Sequence, residues 1–561
     1  MATNSATGAG TGMFRDLLRS LRGRPRVWKL ADSSGVELSG VETLGRALAL
    51  RSTLRRSILA PEERTVGLLL PPSVGGAVAN LALALDRRVT VNLNYSLTPT
   101  ILNDCAAQAG ITHIITSRKV VERLSLNLDA EFVFLEDLAA RVTAKDRAIA
   151  GFLAAVPPAA LLLRHLGLER IADDGTMTVV FTSGTTGRPK GVELTYGNIA
   201  ANLAAVDHFV RFQPDDVMVG VLPFFHSFGS TITLWAGLTR DVAVAYHHNP
   251  LEAKEIGELV RRTGATILPA TPIFLRSYLR RCPPHDFRTL KVVPVGGERL
   301  PMDLSDEVMA AFGVRPLEGY GTTEMAPLVS ANVPAGRAGG EPTASYRQGT
   351  VGRVVPGVRA KVVDLESGIE LGPNQRGMLL VTGPGLMKGY LGQPEATAEV
   401  IQDGWYVTGD VATIDGDGFI TLVDRVSRFA KIAGEMIPFG PIDAALLAVC
   451  GADEAGLPRA VVAAVPDPAR GERLVVLHTE LGRNPREVVG ELADSGLSKL
   501  SLPAAADFFP VERLPVIGAG KLDLQGIKRL AEAAVEGPPI SSGRRQDGPA
   551  PCTVELGRSV A

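Results

Sequence analysis

Thr182 to Gly191, reading Thr-Ser-Gly-Thr-Thr-Gly-Arg-Pro-Lys-Gly, is the stretch that most constrains this chain. The apolar run Met177 to Phe181 predicts a short buried strand leading in, and Gly191 to Thr195 predicts the strand leading out, so these residues form the loop between them. Gly184, Gly187 and Gly191 let backbone N–H groups face an anion with no Cβ in the way. Hydroxyls from Thr182, Ser183, Thr185 and Thr186 add donors, and Lys190 adds charge. Such a loop is built to hold phosphate. An ordinary surface hairpin seldom combines so many hydroxyls, glycines and an Arg-Pro-Lys between two apolar runs.

The nucleoside-triphosphate P-loop has Gly, four residues, then Gly-Lys-Ser/Thr opening a helix. Here Gly184 is followed five residues later by Pro189, so that motif is absent. The order Ser-Gly-Thr-Thr-Gly-x-Pro-Lys-Gly instead resembles the adenylate-forming superfamily of acyl-CoA synthetases, luciferase and peptide-synthetase adenylation domains. The resemblance implies that Thr182, Ser183, Gly184, Thr185, Thr186, Gly187 and Lys190 clamp the β- and γ-phosphates of ATP.

At 561 residues, 45 % hydrophobic and 21 % charged, the chain is too long for one core, and two or three domains are expected. A formal charge of −2 rules out a broad electrostatic attraction to nucleic acid. Cys105, Cys282, Cys450 and Cys552 lie far apart with no Cys-x-x-Cys pair, which speaks against a zinc site and a secreted disulfide scaffold. Met1 to Gly12 is small and polar, unlike a targeting signal, and is expected to be disordered. A reducing cytoplasm is the default location, with peripheral contact at the inner face of the membrane as a further option. Ala148 to Leu163 carries no charge but contains Pro157-Pro158 and is shorter than the ~20 residues of a membrane span, so it predicts a buried helix pair or, alternatively, an interfacial segment. Phe14, Leu17, Leu18 and Leu21 interleaved with Arg15, Arg19, Arg22 and Arg24 form a second candidate for resting on anionic lipid.

Along residues 13–175, strand-like and helix-like runs alternate: Thr65 to Leu70, Val74 to Leu85, Thr90 to Leu93, Thr98 to Gly110, Thr112 to Thr116. That rhythm predicts βαβ units on a mostly parallel sheet. Past the loop come a helix, Asn198 to Val210, a strand, Val217 to Leu222, and the strand-helix units Thr266–Pro269 with Thr271–Arg281 and Lys291–Val295 with Gly296-Gly-Glu298. From about Gly349 short strands with frequent Gly and Pro predict a small β-barrel. The fold class is therefore α/β: a large N-terminal domain, 13–425, of two mostly parallel sheets plus a barrel over 350–425, hinged to a small C-terminal α/β domain over 426–536. Residues 537–561, rich in Gly, Pro, Ser and Arg, are expected to be disordered.

The resemblance assigns further roles. Leu222-Pro-Phe-Phe-His-Ser-Phe-Gly229 looks like the family's carboxylate-site motif, which puts His226 near the acid being activated. Gly297 and Glu298 would border adenine. Within Leu317-Glu-Gly-Tyr-Gly-Thr-Thr-Glu324, Tyr320 and Gly321 would meet adenine, Thr323 would bond the α-phosphate, and Glu324 would hold Mg²⁺ through the hard oxygen that ion prefers. Asp410 would accept from the ribose hydroxyls and Arg425 would reach ribose or phosphate. Lys521, in Leu514-Pro-Val-Ile-Gly-Ala-Gly-Lys-Leu-Asp523, stands where the family carries its catalytic lysine. The pivot position, commonly Asp or Lys two residues after Arg425, is Ser427 here, followed by Arg428.

Leu222 to Gly229, Glu318 to Pro334 and Arg428 to Ile437 together resemble most closely the ligase half of the bifunctional acyl-acyl carrier protein synthetase/lysophospholipid acyltransferase, and also long-chain fatty acid–CoA ligases. None of the eight histidines has Asp five positions on, so the His-x₄-Asp acyltransferase half is missing. The implied activity is ATP- and Mg²⁺-dependent ligation of a fatty acid to CoA or to the phosphopantetheine thiol of acyl carrier protein. Arg459, Arg470, Arg473, Arg483 and Arg486 would suit an acidic carrier, and an ordinary solvated surface is the alternative and favoured reading. A ligase for an aryl or other non-fatty acid is the alternative within the superfamily. A non-catalytic nucleotide-binding or membrane-surface protein is the alternative outside it.

Overall fold

The computed structural model describes residues 8–23, 28–182, 188–333, 337, 346–432, 435–453, 456–517 and 521–536. A seven-stranded sheet runs in the order Gly389–Tyr390, Lys190–Thr195, Thr176–Thr182, Val89–Asn92, Thr65–Leu68, His113–Thr116, Glu131–Phe134. From Thr176–Thr182 onward its strands are parallel, because helices such as Val74–Leu85 and Pro99–Gln108 make the crossovers that parallel neighbours need. Helix Val74–Leu85 has no charged residue, is buried along nearly its whole length and starts at Ser73, whose side chain accepts from Gly76 N. An N-cap of this kind contributes ~1 kcal/mol.

The second sheet places Glu37–Leu38, Leu30–Asp32, Ala243–Tyr246 and Val217–Gly220 side by side, the last three parallel. It continues through single bridges at Ile267 and Ala270 to Val293–Val295, Pro316–Gly321, Leu328–Ala331 and Arg353–Val354. The strand expected over Thr266–Pro269 is reduced to these bridges, since Pro269 has no N–H to give to a ladder. Residues 359–425 form a five-stranded antiparallel sheet, Arg359–Val363, Gly377–Thr382, Trp405–Ile414 and Ile401–Gln402, with Ile420–Arg425 also on Trp405–Ile414. The predicted barrel region thus has an open strand path among the described residues.

Two expectations near the N-terminus need correction. Residues 9–12, placed in a disordered segment, begin the helix Ala9–Arg22, tied down where Asp173 accepts from the backbone N–H groups of Ala9 and Gly10. Phe14, Leu17, Leu18 and Leu21 on that helix are at most 1 % exposed, so the face proposed for lipid is spent on the protein's own core. Conversely, Ala148–Leu163 is not a fully buried pair. It falls in helices Ala144–Ala155 and Ala159–Leu166, with Ile149, Phe152, Val156 and Leu161 exposed. Among the described residues no helix is long and apolar enough to cross a membrane.

The small C-terminal lobe is a sheet of Glu435–Pro438, Phe429–Ile432, Gly471–His478, Ala460–Asp467 and Phe508–Pro510. Alternation along Ala460–Asp467 builds its two cores. Ala460 and Val462 pack with helix Phe439–Cys450, while Val461, Ala463 and Val465 pack with Leu524–Glu536. The large and small lobes are joined by the short turn Val426–Arg428 that follows Ile420–Arg425, and Gly440 N–H of the small lobe donates to Asp424 of the large one.

Candidate active site

The loop's two strands pair as expected, with Phe181 opposite Gly191 and Thr182 opposite Lys190. Ser183, Gly184, Thr185, Thr186 and Gly187 lie outside the described residues. Arg188 is fixed by Asp104, with Nε 2.9 and 3.1 Å from its two oxygens, and the guanidinium holds that carboxyl below its ordinary range. An open cleft of about 310 Å³ at the foot of the loop is lined by Gln108, Arg188, Lys190 and Gln393.

Strand Lys190–Thr195 also pairs with Gly389–Tyr390, which carries Tyr390 to the loop. The Lys190 ammonium lies 4.9 Å from the centre of the Tyr390 ring, and the Tyr390 hydroxyl donates to Glu324 Oε1 at 2.9 Å. Glu324 is buried in the turn Thr323–Met325, and its carbonyl accepts from Met387 N at 2.8 Å. Among the described residues Tyr390 is the only hydrogen-bond donor to the Glu324 carboxylate. This buried oxygen pair, beside a lysine and a phosphate-type loop, fits a small hard cation such as Mg²⁺.

Asp410 and Arg425 face each other across neighbouring strands, with Arg425 Nε 3.1 Å from Asp410 Oδ1. The other oxygen, Oδ2, accepts from the Tyr320 hydroxyl. Burial and this carboxylate push the Tyr320 hydroxyl far above the ordinary phenol range. Between the two clusters sits Tyr406, whose hydroxyl is driven up by burial and then by nearby Glu324, Tyr390, Tyr320 and Asp410.

The acid-side motif joins the same assembly. Ser227 Oγ is 3.2 Å from Thr323 Oγ1, and the Phe228 ring lies 3.4 Å from where a Cβ on Gly296 would stand. Gly297 takes a left-handed φ of 85°, a conformation that favours glycine, and Glu298 follows it, half-buried. Phe224 and Phe225 are buried, packed edge-on by Tyr246 and Tyr95 at ring separations of 5.5 and 4.9 Å. His226 alone of this run is exposed, with its ring centre 4.6 Å from that of Phe225. A π-helix, Gly229–Ala236, starts at the last residue of the motif, a distortion frequent at functional sites.

Lys521 opens the strand Lys521–Leu522, which pairs with Val516–Ile517 as a hairpin on the small lobe. The turn expected to act as the hinge is clamped. Arg428 lies with Nε 3.2 Å from Asp424 Oδ1, on the last strand of the large lobe, and bonds Asp443 on the first helix of the small one. Burial raises the Asp443 carboxyl to about 6. Of the arginines proposed for a carrier protein, Arg473 is paired with Asp507 and Arg483 with Glu491.

Tyr390, Tyr406, Ser227 and Phe228 were not singled out from the sequence. Each is uncharged; strand pairing reveals the place of Tyr390 and Tyr406, and the contacts with Thr323 and Gly296 reveal those of Ser227 and Phe228.

Two lobes, a glycine-hydroxyl loop and a buried carboxylate turn define a nucleotide-handling enzyme class. Residues 17–391 match the AMP-binding enzyme family, and the chain belongs to it. It is 30 % identical over 459 residues to 4-coumarate–CoA ligase 5 of Oryza sativa subsp. japonica, covering 80 % of this chain and 81 % of that one. It is 30 % identical over 351 residues to the long-chain-fatty-acid–CoA ligase of Bacillus subtilis (strain 168), covering 61 % and 59 %. Among solved structures, ATP-bound MatB from Rhodopseudomonas palustris superposes with a TM-score of 0.74 at 25 % identity, over 92 % of this chain and 98 % of that one. The same large and small domain arrangement recurs in o-succinylbenzoate CoA synthetase from Bacillus subtilis with ATP and magnesium ion, at TM-score 0.73, 22 % identity, and 90 % and 98 % coverage.

Proposed function

We propose that this chain is an ATP-dependent acid–thiol ligase that activates a medium- to long-chain fatty acid as its acyl-adenylate and passes it to CoA or to acyl carrier protein. The observation that carries this reading is the convergence of Lys190, Glu324, Asp410 and Arg425, far apart in sequence, through Tyr390, Tyr406 and Tyr320. The relatives supply the chemistry: acid–CoA ligases recur among them.

A carboxylate repels nucleophiles and has no adequate leaving group until its oxygen is joined to AMP. In the first step the acid's oxygen attacks the α-phosphate, the bond to pyrophosphate breaks, and negative charge grows on phosphoryl oxygens. Catalysis is then positioning plus electrostatic stabilisation. Lys190 and the loop hydroxyls hold the outer phosphates. Thr323 donates to the α-phosphate, and the paired Asp410 and Arg425 take the ribose. The Phe224–Phe225 wall and His226 orient the acid. Mg²⁺ on Glu324 would supply positive charge to the phosphate oxygens. Lys521, on its hairpin, reaches the α-phosphate for this step, and rotation about Val426–Arg428 then withdraws it so that a thiol can attack the acyl carbonyl and expel AMP.

Aryl acids are the second reading, favoured by the longer match to the 4-coumarate ligase than to the fatty acid ligase. Pyrophosphate release with ATP, Mg²⁺ and a panel of acids, with CoA or acyl carrier protein added, separates them. Release with fatty acids supports the proposal, and release with 4-coumarate or benzoate alone replaces it. Silence with every acid supports a binding protein.

A further inference from the structure

Away from the residues assigned to the nucleotide, His247, His248 and Glu252 bring one ligand atom each to within 4.8 Å of one another, the only such trio of His, Cys or acidic side chains among the described residues. We propose that they form a site for a divalent transition metal of the zinc class. It stands independently of the ligase reading.

The backbone sets up the trio. Strand Ala243–Tyr246 ends at His247, and Glu252 directly precedes helix Ala253–Thr263, so a short turn folds the carboxylate back over both imidazoles. Asn249 fixes that turn by donating from Nδ2 to Glu252 Oε1 at 3.0 Å, while its Oδ1 accepts from Leu251 N. The remaining oxygen, Oε2, is aimed at the histidines, 2.9 Å from His247 Nε2 and 3.6 Å from His248 Nε2. In a tetrahedral site with metal–ligand bonds of about 2.0–2.1 Å, neighbouring ligand atoms are about 3.3 Å apart. The two separations bracket that value, and all three ligand atoms lie within 4.8 Å of one another.

A second observation points the same way. His247 is 2 % exposed and its other nitrogen, Nδ1, lies 2.8 Å from Ser33 Oγ. A metal-bound imidazole characteristically has its far nitrogen held by such an oxygen, which fixes ring orientation and tautomer. His248 is 41 % and Glu252 32 % exposed on their side chains, which leaves the ion an entry path and room for water as a fourth ligand.

Two imidazoles and one carboxylate select zinc, nickel, cobalt or copper over the magnesium expected at Glu324. The bound ion would staple the end of the strand to the start of the next helix and, through Ser33, to the turn after Leu30–Asp32. Tyr246, one residue before the site, packs its ring against Phe224.

The test uses the full chain stripped with a chelator and titrated with Zn²⁺ against a chromophoric competitor, with Co²⁺ as the spectroscopic probe. Wild type is expected to take up one tight equivalent, to melt higher with zinc, and to give the intense visible bands of four-coordinate cobalt. His248→Ala and Glu252→Gln should bind at least about tenfold more weakly, and Ser33→Ala about tenfold. Uptake by wild type that matches the two ligand variants, or a pale six-coordinate cobalt spectrum, overturns the proposal.

Discussion

Tyr390 donates its hydroxyl to Glu324 Oε1 at 2.9 Å while its ring lies under the Lys190 ammonium. One aromatic side chain thus orients both the proposed cation ligand and the proposed phosphate ligand. Tyr390→Phe keeps the ring and removes only the donor. A hydrogen bond to a charged group contributes about 1.5–3 kcal/mol, so kcat/KM for Mg-ATP should fall about tenfold or more. The Mg²⁺ concentration giving half-maximal adenylation should rise with it. An unchanged magnesium dependence would remove Tyr390 from the site.

Gly229 closes the acid-side motif, and a Cβ there would stand 2.2 Å from Pro223 O and 2.6 Å from Leu222 O. Both neighbours are backbone, so Gly229→Ala must displace the segment bearing His226 and Phe228. Misplacement on the ångström scale costs about 10²-fold in rate. We expect that loss in kcat/KM for the acid, with the far-ultraviolet circular dichroism of the folded chain retained. Activity within a factor of about two of wild type would show that the loop does not position substrate.

Glu318 is buried between Leu300, whose N–H donates to it at 3.0 Å, and the second sheet, and burial pushes its carboxyl up to about 7. The folded chain therefore keeps a proton that the unfolded chain loses near 4.5. Below that pH both states are protonated and nothing is lost. Stability falls as pH rises from about 4.5 to about 7, and the full cost, up to about 3 kcal/mol, persists above. Glu318→Gln should abolish this component. Urea unfolding at pH 5 and pH 8 should show a smaller difference in the variant, and parallel pH slopes would refute the assignment.

The large-lobe fold was legible because its signals are local: Val74 to Leu85 is uncharged and helix-capped, and Met177 to Phe181 is a β-branched run before a glycine-hydroxyl loop. The family resemblance gave Glu324, Asp410 and Arg425, but not how they meet, since Tyr390 and Tyr406 enter through pairing of strands distant in sequence and Ser227 through its contact with Thr323. The helix Ala9–Arg22 was misjudged for a related reason. Interleaved leucines and arginines look the same whether the apolar face meets lipid or the protein's own core, and here Phe14 is fully buried. The His247–His248–Glu252 trio escaped because a search for zinc by cysteine spacing does not see it.

Arg428 spans the hinge between Asp424 and Asp443. Arg428→Ala leaves Asp443 buried without its cation, raising a carboxyl that already stands at about 6. A raised carboxyl favours the folded state at low pH, so the variant's loss of stability should be larger at pH 8 than at pH 5. The ratio of adenylation to thioester formation should also shift, because the clamp holds one of the two lobe arrangements that the proposed rotation requires. Equal destabilisation at both pH values together with an unchanged ratio would mean that the pair is a surface contact.

Acid-dependent exchange of labelled pyrophosphate into ATP tests the central claim most directly, because it reports formation of the mixed anhydride without any thiol. With Mg²⁺ and a long-chain fatty acid, wild type should exchange, and Lys521→Ala should fall about 10²- to 10³-fold. The same variant should still pass a chemically supplied acyl-adenylate to thiol. Absence of exchange with every acid tried, or full exchange in Lys521→Ala, would contradict it.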